Sequence, residues 1–171
     1  GIGGDELFGG YPSFNRMGVT SFLQKLPPVS INAIRRSNYK HLNRLSYLNM
    51  DGIKGNYLFL RGHFTPIEIA KQLNSTENDV WDILNDLPVF PDLPNLPLKE
   101  KASWMELNIY MQNQLLRDAD VMGMANGVEI RVPFLDNDFI KLALSINPER
   151  KYEGNGPKPL LIKSYKNKLP E

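Results

Sequence analysis

The sequence predicts a mainly α-helical protein. Apolar residues recur at three- and four-residue spacing along most of the 171 positions, no run shows the strict alternation of a half-buried strand, and helix-start signatures stand before several apolar stripes. A composition of 42% hydrophobic and 23% charged residues is that of an ordinary globular chain and excludes disorder.

The elements follow in order. Gly1, Gly3 and Gly4 open a tight turn, and Asp5 and Glu6 stand at a helix start. Ser30 is the expected cap of a helix with Ile34, Leu42, Leu45 and Leu48 on its apolar side, while Pro27 and Pro28 bar a helix interior just upstream. Thr65, Pro66 and Glu68 fit a capping box with proline at the first helical position. Thr76 or Ser75 caps the next helix, where Val80, Ile83 or Leu84, and Leu87 recur at helical spacing. From Lys101 to about Arg117, Trp104, Leu107, Met111 and Leu115 make the clearest amphipathic stripe, expected in the core. Asp136 or Asn137 caps a helix with Phe139, Leu142, Ala143 and Ile146 inward, and Lys158 to Lys168 forms a last, basic helix. Pro88, Pro91, Pro94 and Pro97 fall every third residue and predict an extended connector between two helical halves.

Composition also removes several function classes. There is no cysteine, which excludes a disulfide, a thiolate metal site and a cysteine nucleophile within these residues. Two histidines, His41 and His63, are too few for a histidine metal cage. The longest apolar run is Tyr57 to Leu60 and no charged-then-apolar leader opens the chain, so neither a membrane span nor a signal peptide is expected and the default location is the cytoplasm. The net charge of +1 gives no bulk attraction to nucleic acid. Charge is nevertheless uneven: Leu7 to Met50 holds no acid and six bases, Arg16, Lys25, Arg35, Arg36, Lys40 and Arg44, whereas Ser75 to Glu100 holds six acids and only Lys99. The basic stretch admits an RNA-binding reading, but no aromatic–basic module supports it and a solvated helix face explains it as well.

The segment GIGGDELFGGY, Gly1 to Tyr11, carries the most chemistry. Backbone amides exposed by the glycines beside a carboxylate suit a nucleotide phosphate carrying Mg²⁺, the amides facing the anion and the carboxylate the cation. It is no dinucleotide fingerprint, because Glu6 stands where the third glycine would be, and no Walker loop, because Gly9 is followed by Gly10 rather than lysine. Taken alone, it also reads as a tight turn with a charged helix cap.

Two further segments join it. GIGGDELFGGY, MANGVEIRVPFLD (Met124 to Asp136) and the lysine of GNGPKPLL (Lys158) together resemble the synthetase domain of glutamine-hydrolysing asparagine synthetases, in that family's order and over nearly the whole chain. The resemblance implies that these 171 residues are the C-terminal, helical part of an α/β ATP-pyrophosphatase domain, a fragment packed on a sheet whose strands lie upstream. It implies two absent pieces, an N-terminal glutaminase domain with a cysteine nucleophile and an SGGxDS pyrophosphate loop. Without them the 171 residues alone are expected neither to hydrolyse glutamine nor to form an acyl-adenylate. The implied reaction adenylates aspartate or a related carboxylate with ATP and Mg²⁺, and ammonia from glutamine then displaces AMP to give the amide. By the same resemblance Asp5 holds Mg²⁺ on the pyrophosphate portion of ATP, Lys158 neutralises charge on the α-phosphate, and the backbone of Gly1, Ile2 and Gly3 lies against the nucleotide. Asp120 and Glu129 match acidic family positions, but Glu129 with Arg131 reads equally as a structural ion pair orienting the Val132-Pro133-Phe134 turn.

Two departures from the family pattern stand out. Asparagine-forming members have glutamate at the position of Ile2, and an isoleucine cannot move a proton. An acceptor other than aspartate, as in polysaccharide or secondary-metabolite pathways, is therefore the alternative. The basic residue the family places four after its lysine comes one later here, as Lys163. From another class, a catalytically silent helical interaction module is the competing reading, and a homodimer stays open.

Overall fold

A computed structural model describes residues 1–24, 40–50, 52–86, 96–166 and 168. It is helical, with no strand among the described residues. The chain divides into two compact units, one of Gly1–Asn15 with Leu96–Glu171 and one of Arg16–Asn95. The second division falls at the end of the proline-spaced stretch, of which residues 87–95 lie outside the described ones.

The first unit is built from both ends of the chain. Helix α1 (Gly4–Phe8) is short and buries Leu7 and Phe8. These two residues and Ala143 form the centre of a cluster that Leu107, Phe139, Ile140, Ile146, Leu160 and Leu161 complete. Helix α2 (Ser13–Leu23), not anticipated from periodicity, follows and crosses the division between the units. A continuous helical run then occupies Leu98 to Ala125 in three parts: α6 (Leu98–Met105), a π-helical stretch (Glu106–Leu115) and α7 (Leu116–Ala125). Ten residues of π geometry are unusual, because its wider turns pack the backbone less well. Leu116 donates its amide to Met111 O, five residues back, and the side-chain amides of Asn108 and Asn113 donate to Trp104 O (2.8 Å) and Ile109 O (2.9 Å). The expected Trp104–Leu115 stripe is therefore only partly the buried seam. Met111 is buried and Trp104, Leu107 and Leu115 are half-buried, while the deepest positions are Ala102, Ser103, Met105 and Glu106.

After a 3₁₀ turn (Pro133–Leu135), α8 (Asn137–Ser145) starts where the sequence places it. Asp136 is its cap, accepting from the amides of Asp138 (3.0 Å) and Phe139 (3.2 Å). The inward face is turned by one position from expectation: Ala143 is buried and Phe139, Ile140 and Ile146 half-buried, but Leu142 is 60% exposed. Helices α9 (Pro148–Lys151) and α10 (Pro159–Ser164) complete the unit, the latter within the expected basic helix.

In the second unit, the start of the helix expected from Ser30 lies outside the described residues, and Lys40–Asn49 is a 3₁₀ helix. Helix α3 (Gly52–Arg61), not anticipated, packs on it. Tyr47 is the pivot: its ring meets Trp81 edge-on at 6.0 Å and its hydroxyl donates to Phe64 O at 2.6 Å. Helices α4 (Pro66–Leu73) and α5 (Glu77–Asp86) form a hairpin with the expected caps. Glu68 accepts from Thr65 N (2.8 Å), and Thr76 Oγ1 accepts from Asp79 N (3.2 Å), which makes Thr76 rather than Ser75 the cap. Val80 is buried, Leu84 half-buried and Ile83 63% exposed, so Leu84 takes the inward place. Among the described residues no helix is long and apolar enough to cross a membrane.

Candidate active site

The three sequence motifs meet in the first unit. Gly3 precedes α1 with φ 95°, a left-handed conformation open to glycine, and Glu6 turns back so that its Oε2 accepts from Gly3 N at 2.9 Å. A Cβ on Gly3 would sit 2.8 Å from a Leu135 methyl and 2.9 Å from Phe134 Cβ, so the glycine lets the opening turn lie directly on the Val-Pro-Phe-Leu turn. Gly1 is exposed and Ile2 half-buried, with Gly1 facing the Phe134 ring. Glycine at position 10 serves Asp5: a Cβ there would run into the Asp5 carboxylate.

Asp5 and Lys158 come together. Lys158 Nζ lies 3.0 Å from Asp5 Oδ1, and both side chains are about 30% exposed, accessible yet partly shielded from solvent. Lys158 is held in the left-handed region, φ 51° and ψ 50°, between Pro157 and Pro159. Only it and Asn74 adopt positive φ among the described non-glycine residues. Such a conformation costs about 1–3 kcal/mol, which the surrounding loop must hold in place.

Glu6, the second of the two acids at the helix start, is buried and structural. Its Oε1 accepts from the Tyr11 hydroxyl at 2.7 Å; burial, and then this bond and the Glu6 charge, push the Tyr11 phenol well above its ordinary range. Asp120 and Glu129 share a separate cleft of about 260 Å³ with Leu116, Ala119, Met124 and Val128. Glu129 does pair with Arg131 at 3.2 Å, but both are largely exposed, so the pair adds little to the rigidity of the turn that follows.

Sequence reasoning missed a buried polar seam beneath the site. Ser103 Oγ donates to Glu6 O at 2.7 Å, Ser13 Oγ donates to Glu106 Oε1 at 3.0 Å, and Lys151 Nζ lies 2.8 Å from Glu100 Oε1 with the lysine wholly buried. Tyr152 lies against this group, its phenol driven up by burial and by the Glu100 charge. One signal was available for two of them: Ser103 and Glu106 are polar residues three apart inside the stretch expected in the core.

No three His, Cys, Asp or Glu side chains converge on a metal site among the described residues. Asp5 therefore offers one carboxylate rather than a cage. That fits Mg²⁺ carried on a nucleotide, which keeps waters and phosphate oxygens and takes one or two protein carboxylates.

All 171 residues match the asparagine synthase family. The chain belongs to that family. It is 28% identical over 188 aligned positions to "Asparagine synthetase (glutamine-hydrolyzing) 1" of Bacillus subtilis, with the whole chain aligned. It is 29% identical over 157 positions, 84% of the chain, to the Mycobacterium bovis protein named "Putative asparagine synthetase (glutamine-hydrolyzing)". A 39-residue stretch, 23% of the chain, is 60% identical to "Probable asparagine synthetase (glutamine-hydrolyzing)" of Schizosaccharomyces pombe, of which it covers 7%. The chain spans 28% of the length of the Bacillus asparagine synthetase and 23% of the Mycobacterium one. No solved structure matches it.

Proposed function

We propose that this chain is the C-terminal part of the synthetase domain of a glutamine-dependent, AMP-forming amidotransferase that adenylates a carboxylate with ATP and amidates it with ammonia. The observation that carries this reading is the Asp5–Lys158 pair at 3.0 Å, which joins the glycine-rich segment to the C-terminal lysine motif across most of the sequence. Attack of a carboxylate on a phosphate brings negative groups together, so the barrier falls through fixed positive charge and positioning.

Lys158 supplies the ammonium that faces phosphate oxygens as charge develops on them, a task suited to a point charge on a flexible stem. Asp5 holds the cation side, while the backbone of Gly1, Ile2 and Gly3 lines the nucleotide. When bound, Mg²⁺ shields phosphate charge from the incoming carboxylate. In their resting pairing each of the two side chains satisfies the other, which keeps both charges in place until a phosphate and its cation exchange with them. The 171 residues act with a glutaminase domain elsewhere in the same protein, in the cytoplasm.

Ile2 bears on the acceptor. With no proton-carrying side chain at that position, an acceptor other than aspartate is the second reading. The test uses the full-length protein with ATP, Mg²⁺, glutamine and a panel of carboxylates, following pyrophosphate release. Asp5→Asn and Lys158→Ala each lower the acceptor-dependent rate by about 10²-fold or more. Unchanged rates in both variants would remove these residues from the chemistry, and the carboxylate that gives the highest wild-type rate names the acceptor.

A further inference from the structure

Helix α6 reaches both halves of the candidate site through buried polar contacts. Its Ser103 hydroxyl donates to the carbonyl of Glu6, the residue after Asp5, at 2.7 Å. Three residues earlier, Glu100 meets Lys151 at 2.8 Å, with Lys151 wholly buried and Glu100 9% exposed. Lys151 ends α9 and opens the segment that runs, without another helix, to Lys158. Tyr152, the next residue, lies so close to Gly9 that a Cβ on that glycine would be 3.0 Å from its ring.

We infer that α6 is a strut that sets the spacing of Asp5 and Lys158, with the buried Glu100–Lys151 ion pair as the positioning contact on the lysine side and Ser103 as that on the aspartate side. Its catalytic meaning rests on the function proposed above; its geometry does not.

Stability alone is a poor account of the pair. A buried ion pair adds little over an apolar pair of similar volume, because desolvation offsets most of the attraction. What it adds is direction: the ammonium must meet the carboxylate, whereas apolar side chains of that size can slide. The 2.8 Å contact is an ion pair rather than an aligned hydrogen bond, and the face of the Tyr152 ring, 5.3 Å from Lys151 Nζ, is its other favourable neighbour. Replacing both charges with apolar residues should therefore keep the fold and release the register of the loop.

The test reads the position of Lys158 directly, by its rate of acetylation with acetic anhydride in the full-length protein, resolved by peptide mass and referred to the exposed Lys163. In the wild type Lys158 reacts more slowly than Lys163. In Glu100→Leu/Lys151→Met, with the thermal midpoint little changed, Lys158 reacts about three- to tenfold faster relative to Lys163. Ser103→Ala, which removes one hydroxyl and leaves the ion pair, gives a smaller rise in the same ratio and serves alone if the double variant does not fold. An unchanged ratio in a folded double variant, or in Ser103→Ala where only that variant folds, overturns the inference.

Pyrophosphate release separates the two claims. If Asp5→Asn and Lys158→Ala abolish turnover and the double variant speeds Lys158 labelling, kcat in the double variant falls about tenfold with KM for ATP nearly unchanged. If those two variants are fully active, the proposed roles of Asp5 and Lys158 fail while the labelling ratio still decides the strut.

Discussion

The two units handle buried polarity in opposite ways. In the first, four charged side chains are buried among the described residues, Glu6, Glu100, Glu106 and Lys151, whereas the buried polar residues of the second, Thr20, Ser46, Asn56 and Thr65, are all uncharged. The range of their bonds differs as well. Thr20 and Ser46 donate to carbonyls three residues away and the Asn56 amide reaches Ser21 Oγ over 35 residues, while Ser13–Glu106 spans 93 residues and Ser103–Glu6 spans 97. Short-range bonds close a turn that the local sequence already favours. Long-range contacts between charged or hydroxylic groups instead dictate which distant segments meet; Ser103–Glu6 fixes the segment of Asp5, and Glu100–Lys151 the one that leads to Lys158.

The contrast can be broken most forcefully at Lys151. Lys151→Met alone leaves Glu100 buried and unpartnered by its cation, and chemical denaturation should record a loss of about 3–5 kcal/mol. In the second unit, Thr65→Ala removes a helix cap and one side of a box closed within four residues; about 1 kcal/mol is expected from the same measurement. A loss as large as that at Lys151 would show that the second unit, too, depends on its polar contacts.

The smallest effect is electrostatic and exposed. Hydrogen bonds from the Ser75 hydroxyl (2.7 Å) and then from Thr76 N (2.9 Å) hold the Asp79 carboxyl down at about 2, below its ordinary value of about 3.8. A carboxyl depressed by folding favours the folded state above its ordinary value and loses that contribution as pH falls through about 2. NMR titration of Asp79 should show this low midpoint, and Ser75→Ala should return it toward the ordinary value. A midpoint unmoved by that substitution would assign the shift to something other than the local cap.

What the sequence made legible follows the same division between near and far. Thr65 with Glu68, Thr76 and Asp136 were readable as helix starts because each cap satisfies amides two or three residues away. Helices Ser13–Leu23 and Gly52–Arg61 were not, since Gly18, Gly52 and Gly55 dilute their apolar periodicity. The Trp104–Leu115 stripe was found but its burial was misjudged, because an α-helical period does not describe a stretch that turns in π geometry. At the site, Asp5 and Lys158 were nominated by likeness to a family, whereas their 3.0 Å separation belongs to the fold. Glu100 and Lys151 were illegible for a physical reason. Charged residues are overwhelmingly solvated, and only a three-dimensional neighbour turns a charge into a core residue.

Assembly of the first unit from Gly1–Asn15 and Leu96–Glu171 also has a bearing on how the molecule comes into being. On the ribosome, the opening turn emerges long before its partners, and the cost of closing so long a loop must be met before Lys158 can reach Asp5. Arg16–Asn95 is contiguous and can collapse as soon as it is synthesised. The nascent chain thus passes through a stage in which one unit is formed and the Gly-Gly-Asp-Glu turn is still waiting. During that interval, Leu7 and Phe8 lack the side chains that pack on them in this unit, Leu107, Phe139, Ile140, Ile146, Leu160 and Leu161, all of which are synthesised later.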